Sequence, residues 1–236
     1  ITTLLIVGCN SDSAPDCFQN AGNIIREEVS VPDFTTITVF ENVALVLKQG
    51  AETKVEVETG EFLRNEVEVI VEEGRLLLSD TNGCNFVREY GLTKIYVTAP
   101  NITEIRSSTG LLVESDGVLS YPVLRLISES FTNSESETTD GTFDLELDSD
   151  LVSIIVNGIA YFNLRGATDF FRATIAAGDS RIEAQNLMAN SVEVNHRGSN
   201  DILVSPVLEI KGTIRGTGDV VSYTRPDLIE IEELFK

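Results

Sequence analysis

The chain is 236 residues long and carries 17 Lys and Arg against 38 Asp and Glu, a formal charge of −21. With 42% hydrophobic and 23% charged residues it can bury one all-β core or two small ones, which excludes wholesale disorder. An acidic surface repels phosphate, excluding nucleic acid and anionic membrane surfaces as partners, and a single His excludes a multi-His metal centre.

Residues 1–8 (ITTLLIVG) form an apolar run far shorter than the about 20 residues that cross a bilayer. It reads as the remnant of a signal-peptide hydrophobic region. The next residues sharpen this, because Ile6-Val7-Gly8-Cys9 resembles the lipobox of bacterial lipoproteins. That resemblance implies a lipid on Cys9, which would begin the mature chain; a buried edge strand with a chance cysteine is the alternative. Residues 10–16 are polar, as a tether requires, and Ser11-Asp12 is similar to the acidic signal that sends some outer-membrane lipoproteins to the cell surface. With Cys9 lipidated, Cys17 and Cys84 remain as a matched pair, free to bridge in an oxidising compartment. Two free thiols are the alternative, and no Cys-x-x-Cys spacing points to a metal.

The body alternates with period two. Ile37 and Val39, Leu45 and Leu47, Val55 and Val57, then Val67, Val69 and Val71 mark successive strands. Leu76 and Leu78 follow a turn at Glu72-Glu73-Gly74, and Ile95 and Val97 close this half. No stretch holds a helical period with caps at both ends, so the class is all-β.

Beyond Pro100 the spacing changes. Gly158, Gly178, Gly198 and Gly218 recur every 20 residues, with Phe162, Ile182 and Ile202 four residues after the first three. A 20-residue unit cannot bury its own apolar face, but stacked units can, each pairing its backbone with the next. The period therefore predicts a β-helix-like solenoid with coils of about 20 residues, slipping by two residues at the last turn. Glycine is expected where the coil turns too sharply for a side chain. A meander or sandwich of short strands is the competing architecture.

Phe34 to Val46 (FTTITVFENVALV), Asn101 to Gly117 (NITEIRSSTGLLVESDG) and the repeating Gly-x-Asp turns resemble the putative auto-transporter adhesin, head GIN domain family. Residues 214–220 (IRGTGDV), followed by Tyr223 and Pro226, look like that family's closing unit. The resemblance implies a right-handed β-helix-like fold in a secreted or lipid-anchored protein, with no catalytic residues and no cofactor. It divides the chain into a signal remnant and lipobox (1–9), a tether and N-terminal segment (10–32), the β-solenoid (33–226) and a C-terminal capping strand (227–236).

Asp179, Asp201 and Asp219 follow the glycine turns and could form a ridge that binds Ca²⁺ or a ligand, or acts as an acid/base pair on a polysaccharide. Equally, Asp after Gly caps a turn through neighbouring N–H groups. Residues 133–150 (NSESETTDGTFDLELDSD) hold seven acids and no base, and read as a solvated insertion at one coil. His196, between Asn195 and Arg197, reads as polar filler at an exposed turn.

The expected function is a non-catalytic, lipid-anchored outer-membrane or cell-surface protein presenting its solenoid to an envelope protein or a surface glycan. A structural accessory subunit of an outer-membrane complex is one alternative. A polysaccharide-acting β-helix enzyme is the other, disfavoured by zero Trp.

Overall fold

The structure, a computed structural model, describes residues 16–84, 86, 89–131 and 138–234. It is all-β, as the alternation predicts: among the described residues the only helical pieces are two 3-10 turns, Asp16–Phe18 and Arg64–Glu66. The first half holds ten short strands: β1 (Ile24–Val29), β2 (Thr36–Val39), β3 (Val43–Gln49), β4 (Lys54–Gly60), β5 (Val67–Glu72), β6 (Arg75–Asp80), β7 (Thr93–Ala99), β8 (Glu104–Ser107), β9 (Leu112–Leu119) and β10 (Val123–Ser128). Four long strands follow, β11 (Thr142–Val156), β12 (Tyr161–Ile175), β13 (Arg181–His196) and β14 (Ile202–Ile214), then two short ones, β15 (Val220–Ser222) and β16 (Leu228–Glu233).

Two parallel ladders organise the chain. One runs β6–β2–β8–β10 and the other β7–β3–β9. Both enter β11, whose first half continues β9 and whose second half continues β10. From there β11, β12, β13 and β14 pair in parallel along most of their length, and β15 and β16 extend the two halves of β14. Thr142 faces Tyr161, Tyr161 faces Arg181, Ile182 faces Ile202 and Ile202 faces Val220, steps of 19, 20, 20 and 18 residues. The N-terminal end departs from this order, with β1 antiparallel on β4, β4 antiparallel on β7, and β5 antiparallel on β6. The β5–β6 hairpin turns at Glu73 (φ 50°) and Gly74 (φ 77°), the two positive-φ positions that a two-residue turn demands.

In-register stacking puts like side chains over one another. Val113, Phe143, Phe162, Ile182 and Ile202 form one inward column, and Ile37, Ile105, Leu126, Ile154, Ala173 and Val194 another, all buried. Phe143 and Phe162 lie face to face, ring centroids 4.7 Å apart and planes 6° from parallel. Each such aromatic removed from water contributes roughly 2–3 kcal/mol. At a corner Tyr121 is fully buried and donates its hydroxyl to the Ala99 carbonyl at 3.2 Å, and burial pushes its pKa up.

One expectation changes here. Residues 142–150 are not an insertion: they open β11, with Phe143, Leu145 and Leu147 buried and Asp144 and Glu146 on the outer side. The acids are the outward half of an alternating strand; residues 133–137 lie outside the described residues. Pro206 lies inside β14, opposite Ala189, where the register shifts before Glu209 pairs with Ser191. An irregularity at this point accommodates a residue that has no N–H to give the ladder.

Candidate functional site

The turns between successive long strands stack on one edge, and their glycines explain the spacing. A Cβ on Gly178 would lie 2.2 Å from the Gly158 carbonyl oxygen, and one on Gly216 2.0 Å from that of Gly198. The last member of the column is therefore Gly216, because the final step is 18 residues; Gly218 sits instead over Asn200 and under the buried ring of His196. Backbone bonds tie turn to turn: Asp179 N–H to Gly158 (2.9 Å), Ser199 N–H to Gly178 (3.0 Å) and Thr217 N–H to Gly198 (3.1 Å).

This stacking brings together two of the three predicted aspartates. Asp201 and Asp219 precede paired residues on neighbouring rungs, and Asp201 accepts the Asp219 N–H at 3.0 Å. Asp179 aligns with Ser199, whose hydroxyl it accepts at 2.6 Å, because the turn at residues 197–201 places its aspartate two positions further along. Arg181 reaches Asp201 at 3.4 Å and Glu183 at 2.8 Å. The Tyr161 hydroxyl and Arg181 bonded to Glu183 hold its carboxyl below the usual range, while burial and that same carboxylate push Tyr161 up to about 12. These carboxylates cap turns and hold side chains of the next rung. Among the described residues no three His, Cys, Asp or Glu side chains converge as a metal site.

His196 is not exposed filler. It ends β13 fully buried, its Nδ1 accepting the Gly198 N–H at 3.3 Å and its Nε2 without a partner. Burial lowers its pKa, so the ring is kept neutral. The signal lay in Val192, Val194 and His196, three buried positions at strand period.

Cys17 and Cys84 are bridged, with Cα atoms 4.5 Å apart, tying the segment before β1 to the loop between β6 and β7. Phe18 and Phe86 pack beside the bridge at 5.7 Å, both exposed. Cys9 lies outside the described residues.

The outward face of the β10–β16 ladder carries a column that the sequence did not disclose: Glu104, Arg125, Ser153, Arg172, Glu193, Lys211 and Glu230 occupy one line of the register. Arg125 meets Glu104 at 3.4 Å, and Arg172 meets Glu193 at 2.8 Å. Arg75 also reaches Glu104, at 2.8 Å. Such exposed pairs contribute about 0–1 kcal/mol each and mainly set the charge pattern. At the C-terminal end a cavity of about 290 Å³ opens between Ile210, Ile214, Val220, Pro226, Ile229 and Ile231. No described helix is long and apolar enough to cross a membrane.

An all-β chain of parallel, register-locked rungs with glycine turns is the class that this architecture defines. The chain belongs to the family described as putative auto-transporter adhesin, head GIN domain, whose model matches residues 33–226. Its fold is similar to the crystal structure of a putative adhesin from Bacteroides fragilis NCTC 9343, with TM-score 0.78, 20% identity, and coverage of 91% of this chain and 95% of that one. It is also similar to a putative lipid binding protein from Parabacteroides distasonis ATCC 8503 (TM-score 0.61, 16% identity, 90% and 94% covered). A putative adhesin from the same organism gives TM-score 0.57 at 15% identity, covering 91% and 99%. At these identities the likeness is one of fold. No curated protein matches the sequence.

Proposed function

We propose that this chain is a non-catalytic, cell-surface protein of an outer membrane, held by a lipid on Cys9, whose right-handed β-solenoid presents surfaces for adhesion to an envelope protein or a surface glycan. The observation that carries the reading is the unbroken run of parallel rungs from β8 to β16, apolar inside and charged outside. A stack of this kind is a rigid spacer whose faces repeat at a fixed interval, as suits multivalent contact. Family membership and the adhesins of like fold support it. In this reading residues 33–226 form the presenting domain, residues 10–32 lead to it from the membrane and residues 227–236 complete its last rung. Asp179 and Asp219 are both exposed on the turn ridge and give it negative charge toward a ligand.

Intact-cell protease shaving and mass spectrometry of the mature protein test the anchor; an unmodified Cys9 refutes it. Saturable attachment of the purified chain to intact cells or immobilised glycans is expected. Polysaccharide cleavage that disappears in Asp201→Asn would refute the non-catalytic reading. The open C-terminal rung favours a second role, as an accessory subunit docked within an envelope complex.

A further inference from the structure

Among the described residues β15 and β16 form the last rung, and each pairs only with β14. The outer backbone edge of β16 is therefore a strand template at the end of an otherwise continuous ladder. On its inner side Ile229 and Ile231 stand beneath Ile210 and Gly212, at the mouth of a cavity whose apolar lining continues through Ile214, Val220 and Pro226 and whose polar lining is Ser222, Thr224, Arg225 and Glu233. Ile229 is 58% exposed, although the residues above it in the column, Ile210 and Val192, are buried. A further rung would cover it.

The outer side specifies that rung's charge. The register line Arg172, Glu193, Lys211, Glu230 alternates in sign and ends on an acid. Two residues on, Glu232 faces outward opposite Thr213, so two adjacent outward positions of β16 are both acidic. The next member of each line is a Lys or Arg. A second copy of this chain does not supply it. The opposite end of the stack is edged by β5 and β1: the exposed Glu68 and Glu72 of β5 would meet Glu230 and Glu232 in an end-to-end stack, the one base of β1, Arg26, is already held by Glu56 at 3.0 Å, and two C-terminal ends would set acid against acid.

We propose that β16 takes up, by strand addition, an extended segment of a partner protein in which apolar residues alternate with Lys or Arg. The apolar side chains enter the Ile210–Ile229–Ile231 cavity, the bases continue the charge column past Glu230 and Glu232, and backbone bonds to the β16 edge provide the sequence-independent part of the affinity. This names the partner chemistry of one surface and rests on reading the chain as a binding scaffold.

The test uses the whole chain and three fluorescent octapeptides: alternating Val-Lys, alternating Val-Glu, and a Val4Lys4 block with the composition of the first. At 0.15 M salt, anisotropy should show the alternating Val-Lys peptide binding at least tenfold more tightly than the other two. Hydrogen exchange should slow at β16. A Glu230→Lys/Glu232→Lys variant, its fold checked by its unfolding midpoint, should exchange the preference to Val-Glu. Equal binding of the block peptide would mean attraction to net charge alone and overturn the proposal. So would an unchanged preference in the double variant, protection elsewhere, or concentration-dependent self-association that protects β16. Surface attachment without strand selectivity refutes this inference only; selectivity without surface attachment refutes the adhesion reading only.

Discussion

Replacing single turn glycines by alanine separates two costs that the stacked turns impose. Gly74→Ala meets nothing within 4 Å but keeps φ at +77°, so it tests strain alone. That strain of about 1–2 kcal/mol is partly offset by the reduced freedom of the unfolded chain, leaving a loss of about 1 kcal/mol or less. Gly216→Ala tests collision alone: its Cβ would sit 2.0 Å from the Gly198 carbonyl oxygen, a backbone atom with no rotamer to yield. Relief requires lifting the turn, at the expense of Gly216 N–H to His196 (3.2 Å), Thr217 N–H to Gly198 (3.1 Å) and Gly218 N–H to Gly198 (3.2 Å). At about 1 kcal/mol for each bond the loss is about 2–3 kcal/mol. Gly178→Ala combines both, with φ at +91° and a contact of 2.2 Å to the Gly158 oxygen, threatening the bonds at Asp179 and Ser199. Its loss should reach about 3 kcal/mol. Urea unfolding followed by circular dichroism reads all three as shifts in midpoint. If Gly178→Ala and Gly216→Ala unfold at the same urea concentration as Gly74→Ala, rung-to-rung contact does not dictate these glycines, and the account of the 20-residue spacing fails.

Three further outcomes follow from single contacts. Removing the bridge with Cys17→Ser/Cys84→Ser frees a loop spanning 67 residues, which costs about 4 kcal/mol by chain entropy; reductant should lower the midpoint of the wild-type chain but not of the variant. His196 has its pKa lowered by burial, so the unfolded chain binds its proton more readily than the folded one. Stability is then complete above the ordinary value of 6.5 and declines as pH falls below it; His196→Gln should flatten denaturation midpoints measured between about pH 5.5 and 7, a window with no other His to titrate. Arg106 and Glu129 pair at 2.7 Å with exposures of 11% and 2%, so Glu129→Ala strands a largely buried guanidinium and should cost about 3 kcal/mol in a urea titration, whereas an exposed pair such as Arg172–Glu193, broken by Glu193→Ala, should cost under about 1 kcal/mol.

Strand identity was legible because each strand has one buried face, so period-two alternation is a direct imprint of burial: Ile37 and Val39, or Leu76 and Leu78, are apolar because they face the core. The same imprint ran through Phe143, Leu145 and Leu147 and through Val192, Val194 and His196, where it was masked by acids in one case and by a polar residue type in the other. Position in the alternation was the better guide than residue type. The turn at Glu72-Glu73-Gly74 already marked the β5–β6 hairpin, whereas the antiparallel placing of β4 on β7 was not legible, since it depends on a partner more than 30 residues away. Nor was the aspartate ridge. A two-residue difference in turn phase puts Asp179 over Ser199 while Asp201 and Asp219 share a line, and such phases are set by how the turns nest.

The charge of −21 gains meaning from the register. Parallel in-register stacking repeats each outward position about every 4.8 Å, and two like charges at that distance in water repel by roughly 1 kcal/mol. A column of acids along a whole face would accumulate that repulsion rung by rung. On the β10–β16 face the chain avoids this by alternation, placing Arg125, Arg172 and Lys211 between Glu104, Glu193 and Glu230. On the other face Arg165 lies between Asp144 and Glu146, and Arg181 between Glu183 and Asp201. Lys211 stands directly between Glu193 and Glu230, and where acid does face acid, at Glu28–Glu56 and Glu114–Asp144, a base lies alongside: Lys54 for the first pair and Arg165 for Asp144. The two terminal edges carry acids as well, Glu68 and Glu72 on β5 and Glu230 and Glu232 on β16. There, repulsion no longer opposes the fold; it opposes only a further acidic strand, including any from another copy. The net charge thus acts as a rule about neighbours, permissive toward a basic strand and closed to the chain itself.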